Sequence, residues 1–202
     1  MTARSLLWAL LLATLLSGCT GLQKKPSTVN WEARRNALLA VDAWSMQGQI
    51  AIKASSGGGQ GSINWQQSGE LSRLRLAGPF GAGQVELVIA PERMTLTDAS
   101  GERSVAYTGA DAAERFMAER LGWSFPVRSA RYWVLGLLDP ASSGERSFDP
   151  TGTLRSLTQH GWTVDFDRFA EFDEQYLPAK LVIESAELRL RLVVRGWMRD
   201  TV

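Results

Sequence analysis

The chain has a single cysteine, Cys19, in a context that favours acylation of its thiol. Arg4 supplies a positive charge near the N-terminus, and the apolar run 6–16 follows it. This run is far shorter than the roughly 20 residues of a membrane-spanning helix, and it has the length of a secretory h-region. Leu16-Ser17-Gly18-Cys19 puts small residues before the cysteine, as in the lipobox of bacterial lipoproteins. The pattern predicts removal of a signal peptide over 1–18 and a lipid on Cys19.

The segment after the cysteine predicts a membrane tether. Thr20 stands where inner-membrane lipoproteins often carry aspartate, so by resemblance to that sorting rule we expect attachment to the outer membrane, facing the periplasm. Residues 20–30 are polar and aperiodic, as in a flexible linker, and Asn30 is a suitable cap for a short helix. We therefore divide the mature chain into a lipidated tether with a short helix, 19–43, and one domain over 44–202.

Residues suited to catalysis or metal binding are sparse. His160 is the only histidine, so two histidines cannot share a metal, and no G-x-S-x-G elbow occurs. Gly57-Gly58-Gly59 lacks the lysine and the serine or threonine of a phosphate loop, and we interpret it as a hairpin tip. Four acidic residues have a spacing that favours a solvated strand face: Asp165, Asp167, Asp173 and Glu174. We expect no enzyme activity, no metal and no cofactor.

Charge and hydropathy argue against further classes of protein. The formal net charge is +1, and removal of Arg4 with the signal leaves a neutral mature chain. A neutral chain without a dense basic stripe is unlike a nucleic-acid-binding protein. No second long apolar segment is present, so we expect no other part to span a membrane. The mature length suits one domain with a sizeable core, and we expect a monomer.

Most of the mature chain alternates apolar and polar residues with a period of two. This pattern predicts antiparallel hairpins with one apolar face. It is clearest at the end of the chain, where Leu188, Leu190, Leu192 and Val194 alternate with Glu187, Arg189, Arg191 and Arg195. We count about ten strands, with a candidate eleventh near 154–159, and we interpret 142–152 as a polar loop.

Two helical stretches are predicted after residue 110. Asp111 and Glu114 have the spacing of a capping box, and the apolar face of this first helix holds Ala113, Phe116, Met117 and Leu121. Pro126 begins the second, in which Ala130, Trp133, Val134 and Leu137 have helical spacing. Because sheets of this size tend to curl, we expect a mainly β (α+β) fold. It would be an incomplete antiparallel β-barrel of about ten to eleven strands, with helices over its apolar concave face.

Two features of composition bear on binding. The mature chain keeps every tryptophan except Trp8, and Met46, Met94 and Met117 accompany them. Large adaptable side chains suit a cavity for hydrocarbon chains, and they equally suit an ordinary packed core. Gly78-Pro79-Phe80-Gly81-Ala82 puts an aromatic residue in a loop between strands, where it would either be buried or touch a membrane.

Four short motifs occur together in the order and at the spacing of one family. They are Gly78-Pro79-Phe80-Gly81, Arg131-Tyr132-Trp133-Val134-Leu135-Gly136, Gln159-His160-Gly161-Trp162 and Leu177-Pro178. With the lipobox and the early Trp44-x-x-x-Gly48 strand, they resemble the outer-membrane lipoprotein receptor family, LolB, over nearly the whole mature chain.

The resemblance implies a function as well as a fold. LolB-like proteins accept acylated lipoproteins from the soluble periplasmic carrier LolA and place them in the inner leaflet of the outer membrane. The implied partners are thus a LolA-type carrier, acylated lipoproteins and outer-membrane phospholipid. A protruding loop with an exposed apolar residue, usually leucine, promotes delivery in the family. Pro79, Phe80 and Gly81 match that loop, with Phe80 in the place of the leucine.

We expect seven residues to contact the acyl chains: Trp65, Leu87, Ile89, Trp133, Val134, Leu190 and Leu192. Two other classes of protein stay open. A lipoprotein that carries another lipid or a glycolipid would bind lipid without engaging LolA. An assembly-scaffold lipoprotein would pack the interior solid and bind no free lipid.

Overall fold

The structure, a computed structural model, describes residues 31–79, 83–101, 104–173 and 175–199. These residues form three helices and eleven strands. The helices are α1 (Trp31–Leu39), α2 (Ala112–Leu121) and α3 (Val127–Trp133). The strands are β1 (Ala43–Ala54), β2 (Gly57–Ser68), β3 (Leu71–Ala77), β4 (Val85–Ala90), β5 (Arg93–Asp98), β6 (Ser104–Thr108), β7 (Glu145–Phe148), β8 (Leu154–Gln159), β9 (Trp162–Phe172), β10 (Gln175–Glu184) and β11 (Leu188–Arg199).

All the described strands belong to one antiparallel sheet, in the order β6-β5-β4-β3-β2-β1-β11-β10-β9-β8-β7. Pairing of β1 with β11 joins the N-terminal and C-terminal halves of the sheet. The edge strands β6 and β7 are not paired with each other, so the sheet stays open. The expected mainly β fold, an incomplete antiparallel barrel of ten to eleven strands, is confirmed.

Alternation along each strand separates the two faces of the sheet. In β11, Leu188, Leu190, Leu192 and Val194 are buried, whereas the arginines between them are exposed. We call the buried side the inner face and the other side the outer face. Gly48 lets β1 bend against β11, because a Cβ at Gly48 would lie 2.3 Å from the Val193 carbonyl oxygen. The pairing register also shifts between Gln47 and Gly48, as at a β-bulge.

The three helices cover much of the inner face. α2 packs on β5 and β6, and its buried residues join a core that runs through both halves of the sheet. The second predicted helix ends at Trp133, before Val134 and Leu137, but all four residues expected on its apolar face are buried: Ala130, Trp133, Val134 and Leu137. The short helix expected after Asn30 is present as α1. Among the described residues, no helix is long and apolar enough to cross a membrane.

Antiparallel pairing sorts the turns into two ends of the molecule. The end that we call the loop end holds the β1–β2 turn at 55–56, the β3–β4 connection at 78–84 and the β10–β11 turn at 185–187. The opposite end, which we call the anchor end, holds the start of β1 and the β9–β10 turn. α1 lies at the anchor end, where Arg34 Nη2 donates to the Tyr176 carbonyl oxygen at 2.7 Å.

Two predicted loops are wrong in detail. The segment 142–152 contains the edge strand β7, whose four residues are all exposed. An edge strand without a buried side carries no alternation, so the sequence pattern did not indicate it. Gly57–Gly59, interpreted as a hairpin tip, instead begins β2 and pairs with β1. The turn comes earlier, at 55–56.

Two details of α2 also differ from the prediction. Asp111 is the N-cap residue but its side chain makes no capping hydrogen bond. It pairs with Arg115 at 3.1 Å instead, so the predicted capping box is wrong. Leu121 is 40% exposed rather than part of the buried face, because the helix ends there and Gly122 turns the chain away in a left-handed conformation.

Candidate functional site

The seven residues expected to contact acyl chains all lie in the interior between the sheet and the helices. Each is at most 8% exposed, and all belong to one hydrophobic core. Five come from strands β2, β4 and β11, and two from α3 and the turn after it: Trp65, Leu87, Ile89, Leu190, Leu192, Trp133 and Val134. The structure therefore brings the seven into one apolar region.

Cross-strand pairing makes this region continuous. Leu87 pairs with Leu74, which pairs with Trp65, which pairs with Met46. On the other half of the sheet, Leu192 lies between Ile50 of β1 and Leu181 of β10. Rows of apolar side chains thus extend across the inner face, as a surface for a long hydrocarbon chain requires.

α3 is held firmly over this surface by a buried amide. Gln159 Oε1 accepts hydrogen bonds from Trp133 Nε1 at 2.8 Å and from the Asp139 backbone N–H at 2.9 Å. Its Nε2 donates to the Asp139 and Ser142 carbonyl oxygens, each at 2.9 Å. Trp133 also packs near Trp162, with ring centroids 6.3 Å apart. Gln159 belongs to the Gln159-His160-Gly161-Trp162 motif, but the sequence alone does not indicate this role for it.

Polar as well as apolar contacts tie α2 to the sheet, and Tyr107 Oη of β6 donates a hydrogen bond to Glu119 Oε2 at 2.8 Å. The buried face of α2 contacts Tyr107 through Phe116, with ring centroids 5.6 Å apart. At its C-terminus, Ser56 Oγ of the β1–β2 turn donates to the Leu121 carbonyl oxygen at 2.8 Å. Gly109 and Gly122 flank the helix, both with positive φ. α2 therefore closes one side of the interior through both apolar packing and hydrogen bonds to the sheet.

The inner face is only partly covered toward the loop end. Five apolar inner-face residues are partly exposed there, and we call them the apolar rim: Ile50, Ile52, Leu76, Val85 and Leu96. Ile52 pairs with Leu190 and Ile50 with Leu192, so the rim continues directly into the buried region. Deeper in, Trp133, Met46 and Met94 are fully buried and fill the interior. The apolar rim is therefore the partly exposed edge of an otherwise filled interior.

One residue of the predicted membrane-contact loop, Pro79, lies at the loop end. Pro79 is exposed and follows the end of β3, next to Leu76 of the apolar rim. Phe80 and Gly81 lie outside the described residues, and so does Cys19.

Two charged residues near the site have shifted pKa values. Arg34 packs against aromatic rings, and Glu86 lies on the outer face of the sheet. Burial lowers the pKa of Arg34 to about 10, and its guanidinium lies 5.4 Å from the Trp31 ring and 5.5 Å from the Phe169 ring. On the outer face, the hydrogen bond from Arg75 holds the pKa of Glu86 below its usual value. Within the described residues, no group of three or more His, Cys, Asp or Glu side chains could hold a metal ion.

Comparison with known proteins agrees with this architecture. The family model described as outer membrane lipoprotein LolB matches residues 42–197.

The chain belongs to the LolB family.

Curated LolB relatives match along nearly their whole length. The outer-membrane lipoprotein LolB of Chromohalobacter salexigens is 34% identical over 192 residues, which cover 93% of this chain and 87% of the relative. That of Nitrosococcus oceani is 36% identical over 188 residues, with 91% and 92% covered. The family-model match over 42–197 includes β1 to β10, most of β11, and the helices α2 and α3.

A solved structure supports the fold beyond the LolB family itself. A LolA superfamily protein from Nitrosomonas europaea superposes with a TM-score of 0.53 at 8% identity, covering 84% of this chain and 92% of that one. At this identity the likeness shows the fold alone. The overall fold is thus shared between this chain and that protein.

Proposed function

We propose that this protein is an outer-membrane lipoprotein receptor. It accepts acylated lipoproteins from a soluble LolA-type carrier in the periplasm and inserts them into the inner leaflet of the outer membrane. One observation carries the proposal: in a LolB-family chain, a continuous apolar inner face is left partly uncovered at the apolar rim.

The driving force for such a transfer is hydrophobic. Burial of hydrocarbon away from water is non-directional and proportional to the area buried. A carrier and a receptor that share a fold can therefore exchange acyl chains without a covalent step. Transfer proceeds if this interior binds the chains more tightly than the carrier does, and if the bilayer binds them more tightly still. The protein acts as a binding protein in this scheme, not as an enzyme.

Roles of single residues follow from their places. The rim receives the chains, and Trp65, Leu87, Ile89, Trp133, Val134, Leu190 and Leu192 form the deeper wall. Phe80, with Pro79 and Gly81, contacts the bilayer during delivery. The lipid on Cys19 holds the monomeric protein at the membrane, facing the periplasm. Each buried CH₂ of an anchor contributes about 0.8 kcal/mol, so two or more chains keep it attached.

Mixing of two purified proteins tests the proposal. The mature chain carrying Cys19→Ala is incubated with a LolA-type carrier loaded with an acylated lipoprotein, and the two are separated to find which holds the cargo. We expect the cargo on this protein. Retention on the carrier would contradict a receptor, and binding of free lipid without carrier exchange would point to a carrier of another lipid.

A further inference from the structure

The outer face carries a trough close to the loop end. Two adjoining depressions of about 410 and 480 Å³ share Gln49 and Ser62 and so form one groove across β2, β1 and β11. Ser62 and Ala51 contribute small side chains to its floor. The trough lies on the side of the sheet opposite the apolar interior, because Gln49 and Ser62 alternate with the inner-face residues Ile50 and Ile63.

Arginines from two strands line the trough. Arg75 of β3 pairs across the sheet with Asn64, which pairs with Gln47. Arg195 lies beyond Gln47 on β11, and Arg191, which pairs with Ala51, lies two rows nearer the loop end. Arg75 Nε forms a salt bridge with Glu86 Oε2 at 2.6 Å. Arg191 and Arg195 have no ion-pair partner within the described part of the chain. No described carboxylate lines either depression.

One polar atom in the trough lacks a partner. Asn64 Oδ1 is buried and accepts no hydrogen bond from any described residue. A buried acceptor without a donor is unfavourable. Because Oδ1 is closed to solvent as it stands, the Asn64 side chain must rotate towards the trough to meet a donor on a ligand, and the missing hydrogen bond favours that rotation. The cationic walls favour a ligand that also carries a phosphate, for which arginine has a matching geometry.

The position of the trough relates it to the membrane. Gly78 and Pro79, the first residues of the predicted membrane-contact loop, line one of the two depressions. A bilayer touched by this loop presents phosphate-bearing headgroups beside the trough. Ethanolamine and glycerol headgroups also carry hydrogen-bond donors.

We propose that the trough binds the headgroup of a membrane phospholipid while cargo is delivered. Arg191 and Arg195 contact the phosphate, and Asn64 Oδ1 accepts a hydrogen bond from the ammonium or hydroxyl group. The inference rests on the proposed delivery function and adds a headgroup site that is separate from the acyl-chain interior. Headgroup binding would hold the loop end against the bilayer.

A soluble headgroup tests this site apart from the interior. Glycerophosphoethanolamine has no acyl chains, so it cannot bind through the apolar region. We expect it to shift the side-chain amide NMR signals of Asn64 and Gln49 saturably in the mature Cys19→Ala chain. Arg195→Ala should weaken the binding about tenfold, the loss of one charge-assisted contact. Asn64→Leu should also weaken it, whereas Arg155→Ala, an exposed arginine on β8 outside the trough, should not.

Other outcomes overturn the proposal. Equal weakening by Arg155→Ala would indicate diffuse charge attraction, and inorganic phosphate binding as tightly as the headgroup would indicate an anion site without headgroup recognition. Lack of saturation would show that no site exists. Acceptance of cargo from the carrier is measured separately and should be unchanged in Arg195→Ala. Loss of acceptance would instead place Arg195 at the carrier interface. A wild-type protein that bound the headgroup but accepted no cargo would refute the receptor function and leave the headgroup site standing.

Discussion

At Gln159, one buried side chain fixes the position of α3. Its amide joins Trp133, Asp139 and Ser142 through hydrogen bonds of 2.8–2.9 Å. We expect Gln159→Leu, which keeps the size but removes the hydrogen bonds, to lower the free energy of unfolding by about 2–3 kcal/mol, because buried polar groups lose their partners. Urea unfolding measures this. Gln60→Leu, at an exposed position, should change it by less than about 0.5 kcal/mol. Equal changes in the free energy of unfolding for the two variants would show that the Gln159 hydrogen bonds do not hold α3 in place.

Phe80 is a second single residue with a proposed role, which is to contact the bilayer during delivery. We expect Phe80→Glu to leave acceptance from the carrier unchanged and to slow release into vesicles, because a charge disfavours contact with hydrocarbon. Transfer of labelled lipoprotein separates the two steps. Ala186→Glu adds the same charge in an exposed turn at the loop end and should release at the normal rate. A loss of acceptance in Phe80→Glu would place Phe80 at the carrier interface.

At the scale of elements, the two faces of β1 make a matched test of the apolar rim. Ile52 is a partly exposed rim residue paired with Leu190, and the next residue, Lys53, is exposed on the outer face. We expect Ile52→Asn to lower acceptance roughly fivefold or more, because an amide at the rim is costly to desolvate, while Lys53→Asn has little effect. Thermal unfolding verifies that both stay folded. Similar acceptance by the two would remove the rim from the path of the acyl chains.

Substitutions at the apolar rim test the acyl-chain path better than substitutions at fully buried residues. Leu190 and Trp133 are 6% and 0% exposed, so a glutamate at either place would bury a carboxylate and destabilise the whole fold. A loss of transfer in such variants would not distinguish a damaged wall from an unfolded protein. Partly exposed residues avoid this ambiguity.

The sequence predicts the helices and strands whose apolar residues repeat on one face, and it does not predict those without such a repeat. β11 was predicted because every second residue is buried, and α3 because its apolar residues share one face. β7 was missed because an exposed edge strand has no alternation. The sequence also predicted which apolar residues lie inside but not the rim, because partial exposure depends on where α2 ends. Gln159 was missed because a polar residue acquires its buried partners only in the tertiary fold.

For the whole molecule, the proposed function requires the lipid on Cys19 and the loop end to reach one membrane. α1 begins at Trp31 on the anchor end, whereas Pro79 lies at the loop end. The eleven residues between Cys19 and Trp31 extend at most about 40 Å at 3.3–3.6 Å each. The twelve residues of β1 span about the same length. The tether is therefore just long enough for the loop end to meet the bilayer that holds the lipid.

Tether length is thus expected to limit delivery by the lipidated protein. Deletion of residues 21–28 should leave acceptance unchanged and slow insertion of cargo into the membrane that carries the anchor, because the loop end no longer reaches it. Replacement of the same residues by a Gly/Ser sequence of equal length should restore the rate. Reconstitution of lipidated variants in vesicles measures this. Normal insertion by the shortened protein would show that the loop end need not meet the anchoring membrane.

The central claim is that the interior under the helices receives acyl chains. The most direct measurement uses a lipoprotein whose acyl chain carries a photoreactive diazirine, transferred from the carrier and then cross-linked to this protein. We predict cross-links at Ile50 and Ile52 of the rim and at Leu190 and Leu192 behind them. Cross-links confined to the outer face, or none after verified transfer, would contradict the account.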